Sequence, residues 1–319
     1  MKSGLPVDAA LPALRDALRT RACAVLEAPP GAGKSTVVPL ALLTEPWAQG
    51  KRLLLLEPRR IAARAVAARM AQTLGESPGG TVGYRMRLET RVSRATRIEV
   101  VTEGVLTRLL QEDAALEGVA AVIFDEFHER SLQADLGLAL CLDARAQLAP
   151  ALRLLVMSAT LDGAAVGRLL GDAPRVSAAG RTFTVETRYA GKGAPLLPAD
   201  GAGATHTPEK LIAQLAQRAL REEQGDVLVF LPGAREIRRV QSLLEDAPLA
   251  GVAVLPLYGE LSPEAQDAAL APAARGMRKL VLATNIAETS LTIAGVRVVV
   301  DSGLMRRARC AVSRGGSCR

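Results

Sequence analysis

Short apolar runs alternate with amphipathic stretches along this 319-residue chain. Each apolar run is hydrophobic almost throughout, which is typical of strands buried on both faces. The stretches between them have the periodicity of helices. In the first half, strands are predicted at 23–27, 53–57, 98–102, 119–125 and 152–158, and helices at 34–43, 61–74 and 104–111. Strands separated by helices predict an α/β fold, in which helices cover both faces of a parallel sheet.

A second series of the same kind follows a weakly patterned region at 171–180. Its predicted strands are 183–189, 227–231, 252–257, 279–284 and 297–301, and its predicted helices are 208–223, 234–245 and 263–270. At about 150 residues per domain, the length suits two domains. We place them at residues 1–177 and 178–319, with the Gly/Ala/Pro-rich loop 190–205 as an excursion within the second.

The charge balance of the chain is basic. Lys and Arg number 40 against 33 Asp and Glu, which gives a formal net charge of +7. Such a surplus suits a polyanionic partner such as nucleic acid, although a general preference for arginine would produce it as well. Aromatic residues are only 3% of the chain, which argues against a site that stacks rows of bases. Hydrophobic and charged fractions of 49% and 23% exclude a disordered chain.

The cysteines and the N-terminal segment bear on location. The four cysteines (Cys23, Cys141, Cys310 and Cys318) form no C-x-x-C pair, so neither a zinc site nor a disulfide framework is predicted. This pattern fits a reducing compartment, and we expect a cytoplasmic protein. The first thirty residues lack the apolar core of a signal peptide. No apolar run reaches membrane-spanning length, so no membrane partner is expected.

A glycine-rich segment, A-P-P-G-A-G-K-S-T over 28–36, follows the first predicted strand and opens the first predicted helix. In that context it predicts a phosphate-binding P-loop, whose backbone N–H groups converge on phosphate oxygens. Lys34 would reach the β- and γ-phosphates, and the Ser35 hydroxyl would ligate Mg²⁺. The remaining expected nucleotide-binding residues of the loop are Pro30, Gly31, Ala32, Gly33 and Thr36. The strict pattern has Gly where Ala28 stands, and an incidental glycine-rich turn is the alternative.

A second motif, V-I-F-D-E-F-H-E-R over 122–130, is an apolar run that ends in paired carboxylates. This arrangement is typical of a Walker B strand. Asp125 would hold Mg²⁺ directly or through water, and Glu126 would orient and deprotonate the attacking water. A solvated acidic turn is the alternative, but the P-loop upstream favours the catalytic interpretation.

Together these motifs resemble those of DEAH-type superfamily 2 helicases, with Phe127 where the family has Ala. The other family motifs occur in order: E-P-R-R at 57–60 (Ia), T-E-G at 102–104 (Ib), S-A-T at 158–160 (III), V-F-L-P-G at 229–233 (IV) and A-T-N-I-A-E-T-S-L-T at 283–292 (V). The form D-E-F-H-E-R-S-L and the segment L-Y-G-E-L-S at 257–262 are most similar to bacterial HrpB-type helicases. The resemblance, over residues 5–307, implies two tandem RecA-like domains, ATP and Mg²⁺ as ligands, and ATP-dependent translocation along or unwinding of RNA.

The resemblance also implies roles for individual residues. Contacts to the RNA backbone would fall on Arg59, Arg60, Thr102, Glu103, Thr284 and Asn285. Ser158, Ala159 and Thr160 would couple the nucleotide site to strand movement, and His128 would act with the catalytic pair. Arg69 and Glu288 would approach the nucleotide. The basic run Arg85, Arg87, Arg91, Arg94 and Arg97 would add to the phosphate contacts. A solvated face is the alternative for this run and for the other arginines.

The chain departs from the family pattern near its end. The family carries Q-R-x-G-R-x-G-R after motif V, and residues 304–319 do not match it. Leu304 stands where relatives often have Phe. We therefore expect an incomplete second domain, truncated before an arginine finger that is worth about 10³–10⁵ in turnover. One alternative function is a fragment that binds nucleotide and RNA with little or no turnover. Another is a P-loop ATPase that acts on proteins, against which motifs Ia, Ib and V argue.

Overall fold

The computed structural model describes residues 3–159, 163–180, 184–190, 207–246, 249–288 and 293–306. The contacts within the chain divide it into two units, Met1–Thr184 and Val185–Arg319. Each unit is built on its own sheet. No helix in the described part of the chain combines the length and apolar character needed to cross a membrane.

The sheet of the first unit has the strand order β4-β3-β5-β2-β6-β7-β1-β8. Its strands are β1 (Cys23–Glu27), β2 (Arg52–Glu57), β3 (Val82–Met86), β4 (Glu89–Arg91), β5 (Ile98–Thr102), β6 (Val119–Phe124), β7 (Arg153–Ser158) and β8 (Arg175–Ser177). All neighbouring strands are parallel except β3 and β4, which form an antiparallel pair. The α-helices are α1 (Leu11–Thr20), α2 (Lys34–Leu42), α3 (Arg60–Thr73), α4 (Glu103–Glu112), α5 (Leu132–Gln147) and α6 (Gly163–Leu169).

Alternate side chains of each central strand enter two separate cores. In β2, Leu53 and Leu55 join the cluster formed with α1, α2 and α3, whereas Leu54 and Leu56 join the cluster formed with α4, α5 and α6. All four leucines are buried. A strand that is apolar at every position is therefore required here, because both of its faces are covered. The prediction of a parallel sheet between two helical layers is confirmed for this unit.

The second unit has a four-stranded parallel sheet in the order β10-β11-β9-β12. Its strands are β9 (Asp226–Phe230), β10 (Val252–Leu257), β11 (Arg278–Ala283) and β12 (Val296–Asp301), and its α-helices are α7 (Pro208–Glu222), α8 (Ala234–Glu245) and α9 (Pro263–Leu270). On one face, Leu280 and Leu282 of β11 pack in a core shared with α7 and α8. On the other face, buried Lys279 Nζ donates to the carbonyl of Ala269 in α9 at 3.1 Å.

The sequence prediction differs from the structure in several places, of which two are instructive. Of the predicted strand 183–189, residues 184–189 are not in a strand, and Val185 and Tyr189 are 83% and 89% exposed. The alternation of β-forming residues there was misleading, because no described strand offers the backbone groups that a strand must pair with. In contrast, β8 lies in the weakly patterned region 171–180 and pairs with β1. Residues 181–183 and 191–206, which include most of the Gly/Ala/Pro-rich loop, lie outside the described residues.

Candidate active site

The candidate site lies at the edge of the first sheet where the neighbouring parallel strands β2, β6, β7 and β1 reach their carboxyl ends. The glycine-rich loop follows β1, and Asp125 and Glu126 follow β6. Parallel strands bring their carboxyl ends to one side of the sheet, where ligands of open α/β folds bind. The structure thus brings the two phosphate-related motifs together, although almost a hundred residues separate them in sequence.

The glycine-rich loop has a conformation that requires its two glycines. Gly31 and Gly33 have φ angles of +76° and +92°, in the left-handed region. A Cβ at Gly33 would lie 2.8 Å from Leu5 Cδ1, so a larger residue would have to displace that side chain in addition to adopting an unfavourable φ angle. Gly33 is also the N-cap of α2. Ser35 and Thr36 therefore lie in the first turn of that helix, whose N–H groups have no partner within the helix and attract anions.

Lys34, the first residue of α2, is buried and paired with Glu126. Its Nζ donates to Glu126 Oε1 at 2.7 Å, and the two side chains are only 4% and 7% exposed. Glu126 adopts a left-handed backbone conformation, with φ 47° and ψ 37°. Such a conformation costs a non-glycine residue about 1–3 kcal/mol and is concentrated at functional sites. The pair holds the expected phosphate-binding ammonium directly against the expected general base.

The carboxyl groups of Glu57, Asp125 and Glu126 crowd this edge. The register of β2 and β6 pairs Leu56 with Phe124, which places the next residues, Glu57 and Asp125, side by side. Asp125 Oδ1 accepts from the Glu126 N–H at 2.8 Å. Asp125 Oδ2 and both carboxylate oxygens of Glu57 have no hydrogen-bond partner among the described residues. Acceptors without donors in a buried site are suited to a cation.

Burial governs the proton affinity of these groups. It raises the pKa of Glu57 well above the ordinary value, and the charge of Asp125 raises it further. Burial also raises the pKa of Glu126, as does Asp125, while Lys34 acts in the opposite direction. Glu57 is the site residue that the sequence interpretation missed. The available signal was an acidic residue ending an apolar strand, as Asp125 follows another.

His128 and Phe127 lie in the short 3₁₀ turn Phe127–Glu129 directly after Glu126. His128 Nδ1 lies 3.3 Å from Glu126 Oε2, but the geometry is not that of a hydrogen bond. Phe127 is buried and contacts Phe124 edge to face, with 6.1 Å between the ring centroids. Phenylalanine in place of alanine in the D-E-F-H box therefore anchors the turn to the core of the sheet.

Motif III lies beside the glycine-rich loop. Ser158 ends β7 and is buried, and its carbonyl accepts from the Ala28 N–H at 2.9 Å. Ala159 follows and is partly buried, whereas Thr160 lies outside the described residues. The backbone of this motif is thus joined to the start of the P-loop.

The motif Ia arginines lie where β2 leads into α3. Arg59 is the N-cap of α3, and Arg60 is its exposed first residue. Arg59 Nη2 donates to Glu129 Oε2 at 3.1 Å, and Arg59 Nε donates to the same oxygen at 3.3 Å. Motif Ia is therefore linked by an ion pair to the segment that follows the expected catalytic carboxylates.

The motif Ib residues occupy the equivalent position after β5, the strand next to β2. Thr102 is the N-cap of α4 and Glu103 is its first residue. Glu103 Oε1 accepts from the Ser131 hydroxyl at 2.6 Å, and burial raises the pKa of Glu103. Motifs Ia and Ib thus lie on adjacent strand ends, as the resemblance requires of two segments that face one strand of RNA.

Other predicted arginines have structural partners. Arg85 Nε donates to buried Glu99 at 2.6 Å, and Arg97 donates to the carbonyls of Ala48 and Lys51 at 2.7 and 2.8 Å. Arg69 is exposed in the second half of α3, where Nη1 donates to Gln72 at 3.0 Å. The basic run is therefore not a uniform surface, since Arg87, Arg91 and Arg94 are exposed while Arg85 and Arg97 bond to other parts of the first unit.

In the second unit, the predicted residues lie after β11, at the carboxyl edge of the second sheet. Thr284 is the N-cap of the 3₁₀ turn Asn285–Ala287, and Glu288 follows that turn. Asn285 and Glu288 are exposed and line a cavity of about 240 Å³ together with Pro232 and Asp301. Residues 289–292 of motif V and residues 307–319 lie outside the described part of the chain.

Comparison with known proteins is decisive at this point. Residues 9–169 match the DEAD/DEAH box helicase family. The chain belongs to that family. Residues 207–312 match the helicase conserved C-terminal domain. The expected α/β fold of two tandem RecA-like domains, and the resemblance to DEAH-type helicases of the HrpB type, are both confirmed.

The similarity to individual family members is high. The chain is 54% identical to the ATP-dependent RNA helicase HrpB of Escherichia coli, over 96% of the chain and 37% of that protein. It is 34% identical to the ATP-dependent RNA helicase HrpA of the same organism, over 96% of the chain and 23% of that protein. The crystal structure of E. coli DEAH/RHA helicase HrpB matches 93% of the chain and 36% of that structure's chain, with a TM-score of 0.82 and 53% identity. The chain thus spans well under half the length of these relatives.

Proposed function

We propose that this chain carries the nucleotide site and RNA-binding residues of an ATP-dependent RNA helicase of the HrpB type. The observation that carries the proposal is the buried Lys34–Glu126 pair beside Asp125, at the end of a loop whose glycines are in the left-handed region. The 54% identity to a protein named as an ATP-dependent RNA helicase supports it.

The residues present fit ATP with Mg²⁺. Phosphates would be held by the N–H groups of the loop 30–36 and by Lys34, and the metal by the Ser35 hydroxyl and Asp125 Oδ2, a buried acceptor without a donor. Among the described residues, no three His, Cys, Asp or Glu side chains form a metal-binding group. That is consistent with Mg²⁺, which proteins usually bind through one or two carboxylates together with substrate phosphates. When bound, Mg²⁺ neutralises negative charge on the phosphates.

The Lys34–Glu126 pair implies an order of events, in which Lys34 binds phosphate before Glu126 accepts a proton. To reach a phosphate, the Lys34 ammonium has to leave Glu126 Oε1. Since Lys34 opposes the rise in the pKa of Glu126, its departure makes Glu126 a stronger proton acceptor as substrate binds. Glu126 would then take the proton from the water that attacks the γ-phosphate, with His128 acting beside it. Arg69 and Glu288 would contact the nucleotide from exposed positions.

RNA would be held through its backbone. Arg59, Arg60 and Thr102 in the first unit, and Thr284 and Asn285 in the second, offer guanidinium, hydroxyl and amide donors to phosphate and sugar oxygens. Glu103 would orient the motif Ib segment through its hydrogen bond to Ser131. These contacts do not read sequence, which agrees with the low aromatic content and the basic surplus. Ser158, Ala159 and Thr160 would couple the nucleotide site to these contacts. Separately, the buried free thiols of Cys23 and Cys141 favour a cytoplasmic location.

The proposal is tested by three measurements on one preparation of the chain: binding of a fluorescent ATP analogue with Mg²⁺, binding of a single-stranded oligoribonucleotide, and phosphate release with and without RNA. We expect both ligands to bind and RNA to stimulate hydrolysis. Glu126→Gln should keep nucleotide binding and lower hydrolysis about 10²–10⁴-fold, the usual contribution of a general base. Glu112→Gln, which breaks an exposed ion pair with Arg108, is the matched control.

The outcomes separate the alternatives. Binding of both ligands without hydrolysis would favour a nucleotide- and RNA-binding chain with little turnover. Hydrolysis at a rate that RNA does not change would favour a P-loop ATPase that acts on another partner. Absence of nucleotide binding would remove the P-loop interpretation altogether.

A further inference from the structure

One ion pair joins an expected RNA contact to the catalytic segment. Arg59, which follows β2, bonds through both Nε and Nη2 to a single oxygen of Glu129. The two side chains are 21% and 19% exposed, so the pair is partly shielded from water but accessible from outside. A guanidinium in this position can be approached by another anion without unfolding the segment.

Glu129 is connected to the general base by a very short stretch of chain. It is the last residue of the 3₁₀ turn, and its N–H donates to the Glu126 carbonyl at 2.9 Å. The residues on either side of the turn, Glu126 and Arg130, both have φ angles of 47°, in the left-handed region. A turn of three residues with unusual backbone at both ends has few ways to absorb a movement locally. A shift of the Glu129 side chain and backbone therefore reaches Glu126.

We propose that Glu129 is a positioning residue that competes with RNA phosphate for Arg59 and, when displaced, alters the placement of Glu126. This inference rests on the proposed function. Carboxylate and phosphate accept hydrogen bonds from the same edge of a guanidinium, and a phosphate on Arg59 would also repel the nearby Glu129 carboxylate. RNA binding thus weakens the Arg59–Glu129 pair. The strained turn then relaxes, and the position of the Glu126 carboxylate, which faces Lys34, changes.

The proposal has a thermodynamic consequence. If Glu129 transmits RNA binding to the nucleotide site, the factor by which nucleotide changes RNA affinity equals the factor by which RNA changes nucleotide affinity. Both factors depend on the charge of Glu129, because the charge provides the competition. A residue that only maintained the fold would affect stability and would not show this dependence on charge.

The test compares wild type with Glu129→Gln and Glu129→Asp. The probes are a fluorescein-labelled single-stranded oligoribonucleotide and a non-hydrolysable ATP analogue with Mg²⁺, and RNA affinity is measured with and without the nucleotide. Glu129→Gln should raise RNA affinity about threefold to tenfold. Coupling factors between two sites are typically about 5–150, and Glu129→Gln should bring the factor close to one. Glu129→Asp, which keeps the charge, should retain both wild-type values. Glu112→Gln is the control for removing an exposed carboxylate, and it should change neither.

The readouts distinguish the failure of this inference from that of the proposed function. If wild type binds both ligands with coupling, and Glu129→Gln leaves RNA affinity unchanged or lowers it, Glu129 does not compete with phosphate and the inference is overturned. Equal effects of Glu129→Gln and Glu129→Asp would overturn it too, because charge would then be irrelevant. A wild-type chain that binds neither ligand would overturn the proposed function itself.

Discussion

The carboxyl edges of the two sheets differ sharply, although both arise from the same alternation of strands and helices. At the first edge, Lys34, Asp125 and Glu126 are all nearly inaccessible to solvent, and Glu57 is completely buried. At the second edge, Asn285 and Glu288 are exposed and line an open cavity of about 240 Å³. The same fold thus holds a buried cluster of ionisable groups in one unit and a solvent-exposed surface in the other.

The difference in burial implies different roles for the two edges. Burying an ionised group is costly unless it is paired. At the first edge Lys34 and Glu126 are paired with each other, whereas burial raises the pKa of Glu57, whose carboxylate has no hydrogen-bond partner among the described residues. The same burial changes proton affinities, which proton transfer requires. The second edge, where Asn285 and Glu288 are exposed, would contribute by positioning and contacting ligands. Substitutions at the two edges should therefore differ in the size of their effects.

The largest effect is expected at the first edge, for Lys34→Ala. The substitution removes the ammonium that would bind phosphate and leaves Glu126 buried without its partner. Loss of one charge-assisted hydrogen bond, worth about 1.5–3 kcal/mol, should lower nucleotide affinity at least about tenfold. Titration with a fluorescent ATP analogue measures this, and Lys51→Ala, at an exposed position, is the control.

The same variant should also be less stable. A partner removed from a buried ion pair typically costs about 3–5 kcal/mol, because the remaining charge is uncompensated. The double variant Lys34→Ala/Glu126→Gln should recover much of that stability in urea denaturation without recovering nucleotide affinity. Wild-type nucleotide affinity in Lys34→Ala would show that the buried pair is structural and that the first edge is not the phosphate site.

The sequence was sufficient for the parts of this site that are contiguous in the chain. The glycine-rich loop and the D-E pair each combine a strand end with residue types that phosphate and metal chemistry require, and their positions relative to β1 and β6 follow directly. The structure places these residues together, while their catalytic and binding roles stay predictions. Family membership followed from the order of the motifs.

The remainder depended on contacts that no local pattern encodes. The burial of Glu57 against Asp125 is set by the register of β2 and β6, which the sequence does not specify. The structural role of Arg85 depends on Glu99 in a neighbouring strand. The strand predicted over 183–189 was wrong because alternation of side chains does not supply a pairing partner. Motifs that are contiguous in the chain were therefore recognisable in the sequence, and pairing between segments was not.

An intermediate effect is expected for Glu57→Gln, measured in the absence of Mg²⁺. The folded protein raises the pKa of Glu57 above its ordinary value of 4.5 through burial and through Asp125. Protonated Glu57 therefore makes its full contribution to the free energy of unfolding at pH values below the unfolded-state pKa. This contribution is lost as pH rises toward the folded-state pKa. A glutamine carries no charge and offers N–H donors to Asp125. It should raise the free energy of unfolding by about 1–3 kcal/mol at pH 8, the cost of a buried unsatisfied polar group.

Urea denaturation at pH 8 and near pH 4 measures that difference. The advantage of Glu57→Gln over wild type should shrink toward pH 4, because Glu57 then becomes protonated in the unfolded chain as well. A gain that is equal at both pH values would mean that burial does not control the ionisation of Glu57. A loss of stability at pH 8 would mean that the carboxylate is satisfied by a partner that the amide cannot replace.

The smallest effect is expected at the second edge, for Glu288→Gln. Glu288 is exposed after the turn Asn285–Ala287, and an exposed charge typically contributes about 0.2–1 kcal/mol to an interaction. Its removal should change nucleotide affinity by no more than about fivefold and stability by less than about 0.5 kcal/mol. The same titration and urea measurements check this beside Lys34→Ala and Glu57→Gln. A loss of nucleotide affinity as large as that of Lys34→Ala would mean that an exposed carboxylate carries as much binding energy as the buried ammonium. In that case burial would not be what separates the two edges, and binding would depend on groups that the ligand itself removes from water.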